Sequence, residues 1–408
     1  MYFRAKAAYW KLRLFEFPLN FPGLRNGRYE MSAPENYLDD AGLPLLPAIG
    51  VIVVVGFCCA FGLLLAHTVT RNSLVKRNVP SVPSPAPELS ERLQESVAHV
   101  SRSGPSGMIS SIEFNSSATD QDLAEVTKVP SVSHIYLYSP HVTNVGLRSL
   151  KKLPAFTGLT FPGRTGVSDA DFKVLGEFKK LTWLDLDGSL FGDEGLAALN
   201  GLPHLSMLQL EQTRITDLGL LQVESLPELV TLCLDRTRVG QVGSNSEDFG
   251  FARLAGFPKL MFLSLIETQI QDDCLAELPK CLALRSINLS GVALTPEGCR
   301  SLAQCPALTS LTLSSDSIGG AHLVELAQSP LLQDLHIEKS SIAADDLIQL
   351  KQLRHLKVCR VQSSRASRED IHATIRKHMP GVVVEFVCGT PGKCGTPDRN
   401  MWTWLTGN

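Results

Sequence analysis

From about Ile112 to its last residues the chain repeats itself every 24 residues or so, each time with an apolar-x-apolar pair. The pairs are Ile112/Phe114, Ile135/Leu137, Leu159/Phe161, Leu184/Leu186, Leu208/Leu210 and Leu232/Leu234. They continue as Leu263/Leu265, Ile287/Leu289, Leu311/Leu313, Leu335/Ile337 and Leu356/Val358, with a degenerate last one near Val384/Phe386. Most intervals are 23 to 25 residues; 31 separate Leu232 from Leu263, and 21 separate Leu335 from Leu356. A unit of this size cannot bury its apolar face alone. Stacked neighbours bury it together, so the period predicts a solenoid with one continuous core.

The stretch Leu205–Leu229 shows one unit. Leu205, Leu208 and Leu210 point inward, while Met207, Gln209 and Glu211 alternate outward, as a half-buried strand requires. Thr213 follows, with a hydroxyl able to satisfy a backbone group as the chain leaves the strand. Ile215 plugs the core. Thr216-Asp217 reads as a helix start, an N-cap followed by an acidic first turn. Leu220 and Val223 give the buried stripe of a short helix, and Leu226-Pro227-x-Leu229 returns the chain to the next strand.

The same grammar recurs at Gly192-Asp193-Glu194-Gly195-Leu196-Ala197-Ala198-Leu199 and at the returns Leu153-Pro154, Leu202-Pro203, Phe257-Pro258 and Cys305-Pro306. It resembles the GALA-type and cysteine-containing subclasses of the leucine-rich-repeat superfamily, over roughly residues 107 to 387. The resemblance implies an α/β right-handed horseshoe, with parallel strands on the concave face and short helices on the convex face. Members of these subclasses often carry an F-box ahead of the repeats; here that region reads as a membrane span and a linker. For function the resemblance implies a binding scaffold and no single partner.

The second feature is the run Ala41–Ala66, which holds no charged residue. About 20 apolar residues cross a hydrocarbon core, so the run predicts a transmembrane helix over residues 43–67. A cleaved signal peptide is the rival reading, but it would place a basic residue ahead of the run, where Asp39 and Asp40 stand. Arg71, Lys76 and Arg77 follow the run and Arg25 and Arg28 precede it, which favours repeats on the cytoplasmic side. A start at Met31 would strengthen that reading; Arg4, Lys6, Lys11 and Arg13 would weaken it. The predicted order is an N-terminal tail (1–42), the span, a Pro/Ser-rich linker (68–107), the repeats (108–387) and a C-terminal tail (388–408). In the linker, Leu89–Ser101 is read as a solvated spacer rather than a short helix.

Cys274, Cys281, Cys299 and Cys305 fall at positions equivalent to Gly195, Leu202, Leu220 and Leu226, and are read as core filler. Such unpaired thiols fit a reducing compartment. Cys388 and Cys394 flank a Gly/Pro cluster and could close a local disulfide. Zinc binding with His372 and His378 fits no common spacing.

The 408 residues are 44% hydrophobic and 19% charged with a formal net charge of −3, so bulk electrostatics gives no pull toward nucleic acid. The sequence has no phosphate-binding glycine loop, zinc-spaced Cys/His set or nucleophile elbow. His336, between Asp334 and Glu338, is a lone histidine on an open strand. Neither catalysis nor a cofactor is expected. The binding candidates are outward strand positions. Asp187, Glu211 and Asp235 form an acidic column, and Trp183, Met207 and Phe262 an apolar one. With Asp185 and Gln209 they make a docking patch for a protein partner with a basic or amphipathic segment. Cys359 is read as outward too. The stretch Gly240–Gly250 reads as an insertion on one face. The reading is a single-pass, membrane-anchored scaffold; the alternative is the same solenoid facing outward as an envelope or surface receptor-like module.

Overall fold

The computed structural model describes residues 89–163, 167–240 and 250–385. The predicted span, both tails, Cys388, Cys394 and most of the 240–250 insertion lie outside them. Among the described residues no helix is long and apolar enough to cross a membrane.

The repeats build one sheet whose strands run in chain order. They are β1 (Val97–Ser103), β2 (Met108–Phe114), β3 (His134–Leu137), β4 (Gly158–Thr160), β5 (Trp183–Asp185), β6 (Met207–Gln209) and β7 (Thr231–Cys233). Then follow β8 (Phe262–Ser264), β9 (Ser286–Ser290), β10 (Ser310–Ser314), β11 (Asp334–Ser340), β12 (Val358–Ser363) and β13 (Val383–Glu385). From β2 onward every neighbour is parallel, which requires a crossover in each repeat. The crossovers are short helices: α-helices such as Asp193–Ala198 and Asp217–Gln222, or 3₁₀ turns at Asp169–Glu177, Gly250–Gly256 and Ala344–Gln352. The inward pairs fill a continuous core; Leu184, Leu186, Leu210, Leu234 and Leu265 are fully buried.

Helix starts follow the predicted chemistry. The Thr216 hydroxyl accepts from the Leu218 N–H at 3.2 Å, and the Thr143, Thr295 and Ser367 hydroxyls cap in the same way. Carboxylates in the first turns also reach across repeats. Asp120 takes the Thr143 N–H (2.8 Å), Asp169 the Gly192 and Gly195 N–H groups, and Asp217 the Gly240 N–H. Thr213, Thr237 and Thr268 each return a hydroxyl to the strand carbonyl three residues back, at 2.6–2.7 Å. Beyond the strands the chain turns through the left-handed region at Gly163, Gly188, Gln212, Arg236, Glu267 and Gly291.

Two expectations are corrected. The segment read as a spacer is the solenoid's N-terminal cap: Glu91–Ser96 is helical with Leu93 buried, and β1 pairs antiparallel with β2. The hairpin covers an edge that the first parallel strand would otherwise leave open. The second correction is register. Leu335 pairs with Cys359 and Ile337 with Val361, so the interval is 24 residues rather than 21. Leu356 stands three residues before Cys359, as Leu332 stands before Leu335, and is the return leucine of its repeat. Cys359 is therefore an inward residue, fully buried, and not an outward one.

Candidate interaction surface

Strand register aligns the outward side chains into rows across the sheet. One row runs His134, Gly158, Trp183, Met207, Thr231, Phe262 and Ser286. The next runs Tyr136, Thr160, Asp185, Gln209, Cys233 and Ser264. Trp183, Met207 and Phe262 thus share a row, with Thr231 between the last two. Trp183, Met207, Asp185 and Gln209 are half-buried, and the Gln209 amide lies 3.7 Å from the Met207 sulfur. Phe262 is only 7% exposed, beside Thr231 and Ser286 at 4% and 1%. Strands 4.8 Å apart let row neighbours cover one another's flanks, so an outward ring in mid-sheet loses most of its surface. Phe262 is not an accessible anchor.

Asp187, Glu211 and Asp235 do form a column, but beyond the strands. The ladder continues there through Gly188 N–H to Glu211 C=O (2.6 Å) and Gln212 N–H to Asp235 C=O (2.8 Å). Their side chains are engaged. Asp187 Oδ1 accepts from the Glu211 N–H at 2.7 Å, and Asp235 Oδ1 from the Ile266 N–H at 2.8 Å. Each carboxylate staples its repeat to the next. Glu211 pairs with Arg236 at 2.6 Å, and Arg236 reaches Glu267 at 2.8 Å. Asp185 Oδ1 accepts from the Asp187 N–H at 3.2 Å. Burial pushes the Asp235 carboxyl up against hydrogen bonds from Ser264, Ile266 and Cys233, and pushes the Cys233 thiol up as well. The column is first a structural ladder. Glu113 and Asp185, both half-buried, place their charges on either side of Tyr138.

Alternation along the strand puts His134, Tyr136 and Tyr138 outward, but sequence reasoning left them out of the docking patch, and with Trp183 they form an aromatic cluster on β3–β5. His134 stacks on Tyr136 (centroids 4.6 Å apart) and meets Trp183 edge-on (5.8 Å). The imidazole occupies the space that a side chain at Gly158 would fill, and its Nε2 lies 3.3 Å from Thr160 Oγ1. Burial lowers the His134 imidazole to about 4. Tyr138, just past β3, is 44% exposed. Burial of its phenol, then the charges of Glu113 and Asp185, push it up to about 12. The Trp183 Nε1 is buried with no hydrogen-bond partner among the described residues. The signal was present in His134-x-Tyr136-x-Tyr138 followed by glycine at the equivalent place in the next strand.

The other half of the face is polar. Ser286, Thr312 and Ser314 are buried, and His336 lies 3.0 Å from Glu338, whose carboxyl it holds down. Burial raises the Asp334 carboxyl against the pull of Arg360 and Lys357.

No protein-family model matches the chain, and no curated protein matches it. Among solved structures it is similar to a leucine-rich-repeat protein of Leptospira interrogans, at 17% identity and a TM-score of 0.41, over 64% of this chain and 74% of that one. It is also similar to an internalin of Listeria monocytogenes, at 14% identity and a TM-score of 0.40, over 74% of this chain and 93% of that one.

Proposed function

We propose that this chain is a membrane-attached scaffold that holds a protein partner on the outward face of its sheet, without catalysis. The observation that carries the reading is the β2–β6 region, where an exposed Tyr138 stands between the charges of Glu113 and Asp185, and half-buried Trp183 and Met207 lie on the same face in the row of His134. Aromatic groups with a polar tip, set beside carboxylates, suit a basic or amphipathic segment, whose cations find both ring faces and charge. Asp187, Glu211 and Asp235 add negative potential to that field while holding the repeats together.

Attachment rests on the apolar run at 43–67, and a cytoplasmic solenoid on the basic residues after it. The cysteines agree: Cys233, Cys274, Cys281, Cys299, Cys305 and Cys359 are all free thiols. Carbonate washing should leave the full-length protein in membranes, and a cytoplasm-dependent reporter fused after Asn408 should work. Quantitative release, or activity of an export-dependent reporter instead, would contradict attachment or side respectively. Truncating Tyr138 or Trp183 tests the face, as set out below.

A further inference from the structure

Most repeats re-enter the sheet through a tight turn closed by an N–H to C=O bond. Examples run from Leu260 to Phe257, Leu284 to Cys281, Leu308 to Cys305 and Leu356 to Leu353, at 3.1–3.4 Å. The flanking residues are buried in the core, and the two central residues stand on the rim. Elsewhere these central residues are mostly polar or charged, for example Lys179-Lys180, Pro227-Glu228 and Pro258-Lys259, with Pro154-Ala155 a single apolar turn between polar ones. Over three successive repeats they are apolar: Leu282-Ala283, Pro306-Ala307 and Pro330-Leu331. Leu282 is 75% exposed and Leu331 39% exposed. The turns stack in register, since Thr309 N–H bonds Arg285 C=O and Gln333 N–H bonds Thr309 C=O, each at 2.8 Å. At about 4.8 Å per strand the strip is roughly 10 Å long.

The turns themselves carry charge of one sign, with Glu277 and Asp334 lying just outside them. Residues 280–285, 304–309, 328–333 and 352–357 contain Lys280, Arg285, Arg354 and Lys357 and no Asp or Glu. Lys280 is held by Glu277 at 2.7 Å; Arg285, Arg354 and Lys357 form no ion pair among the described residues. A base in the last helical turn complements the helix dipole, which accounts for Lys280. It does not account for Arg285 and Lys357, which lie past the turn at the strand entrance. Nor does core packing account for a leucine left three-quarters in water.

We propose that this rim rests on an anionic phospholipid bilayer. Leu282, Pro306 and Leu331 enter the boundary between headgroups and acyl chains, and Arg285, Arg354 and Lys357 face the lipid phosphates. Apolar tips fringed by Lys and Arg are the chemistry of interfacial binding. The turns project from the rim and carry no carboxylate of their own, so they offer little directional recognition to a folded partner. The inference is independent of the sheet-face reading and of the apolar run.

Hydrogen exchange on the full chain tests it, with vesicles of phosphatidylcholine alone and vesicles in which a third is phosphatidylserine. Attachment through the apolar run is common to both arms. Peptides covering 280–286 and 328–334 should exchange several-fold more slowly with the anionic vesicles only, and high salt should remove the effect. Leu282→Asp, and separately Lys280, Arg285, Arg354 and Lys357 all changed to Gln, should abolish it while leaving exchange in the buried strands unchanged. Equal protection by neutral vesicles, no protection by either, or protection that persists in both variants would overturn the proposal.

Discussion

Asp193 of one repeat accepts both the backbone N–H and the hydroxyl of Thr216 in the next, at 2.8 and 2.6 Å. The space its carboxylate fills is the space a side chain at Gly219 would need. Residues 26 apart therefore form a lock, and Asp120/Gly146, Asp169/Gly195 and Asp272/Gly298 repeat it at the same separation. The lock satisfies helix N-termini that would otherwise keep unpaired donors. It predicts coupling. Asp193→Ala should cost about 1–2 kcal/mol, and Gly219→Ala about 1–3 kcal/mol by overpacking. Together they should cost less than the sum, because removing the carboxylate opens room for the methyl. Strict additivity in denaturant midpoints would mean the glycine serves another purpose.

Strand register makes a sharper contrast. Leu208 is 1% exposed, and Leu208→Ala should cost about 2–5 kcal/mol. Gln209→Ala, one residue on and outward, should stay within about 0.5 kcal/mol. Similar losses in thermal or denaturant melts would show the register to be shifted.

Cys359 tests the corrected end of the ladder. Burial pushes its thiol up to about 12, so almost none is thiolate at neutral pH. Alkylation mapped by mass spectrometry should leave Cys359 unmodified in the folded protein and modify it fully in denaturant. Rapid labelling of the native chain would restore the outward placement that the sequence spacing suggested.

His134 sets a pH dependence. Its imidazole lies at about 4, against an ordinary 6.5. As pH falls through that window the unfolded chain binds a proton that the folded one refuses. The stability from burying a neutral ring is therefore complete above about 6.5 and is lost progressively towards about 4. His134→Gln should drop less in stability between about pH 7 and about pH 5 than the parent does. Identical drops would place the ring in a wetter site.

The fold was legible because periodicity and burial report the same thing. Leu205, Leu208, Leu210, Ile215 and Leu220 are all inward, and Thr216 caps as its sequence context indicates. The register error came from Leu356, a return-turn leucine that with Val358 imitates a strand pair. The cap was missed because Leu93 is one apolar residue in a polar stretch, and its burial depends on a hairpin formed by residues on both sides. The site was half legible. Alternation placed Trp183, Asp185, Met207 and Gln209 outward, but no local pattern shows that Asp187 and Asp235 spend their oxygens on Glu211 and Ile266. Nor does it show that Phe262 is enclosed.

The central claim, that the β2–β6 face takes a basic segment, is tested most directly by titrating a fluorescent amphipathic Lys/Leu peptide into the full-length protein. Its Glu/Leu counterpart is the control. The account predicts that only the basic peptide binds and that salt weakens it. Tyr138→Ala or Trp183→Ala should cost about 2 kcal/mol or more in affinity, and Glu113→Gln with Asp185→Asn should slow association. Changing the exposed helix-side acids Glu194, Glu224 and Asp273 to Lys should leave binding nearly intact. Loss of binding in that helix-side variant, with the sheet-face variants unaffected, would contradict the account and move the working surface to the helices.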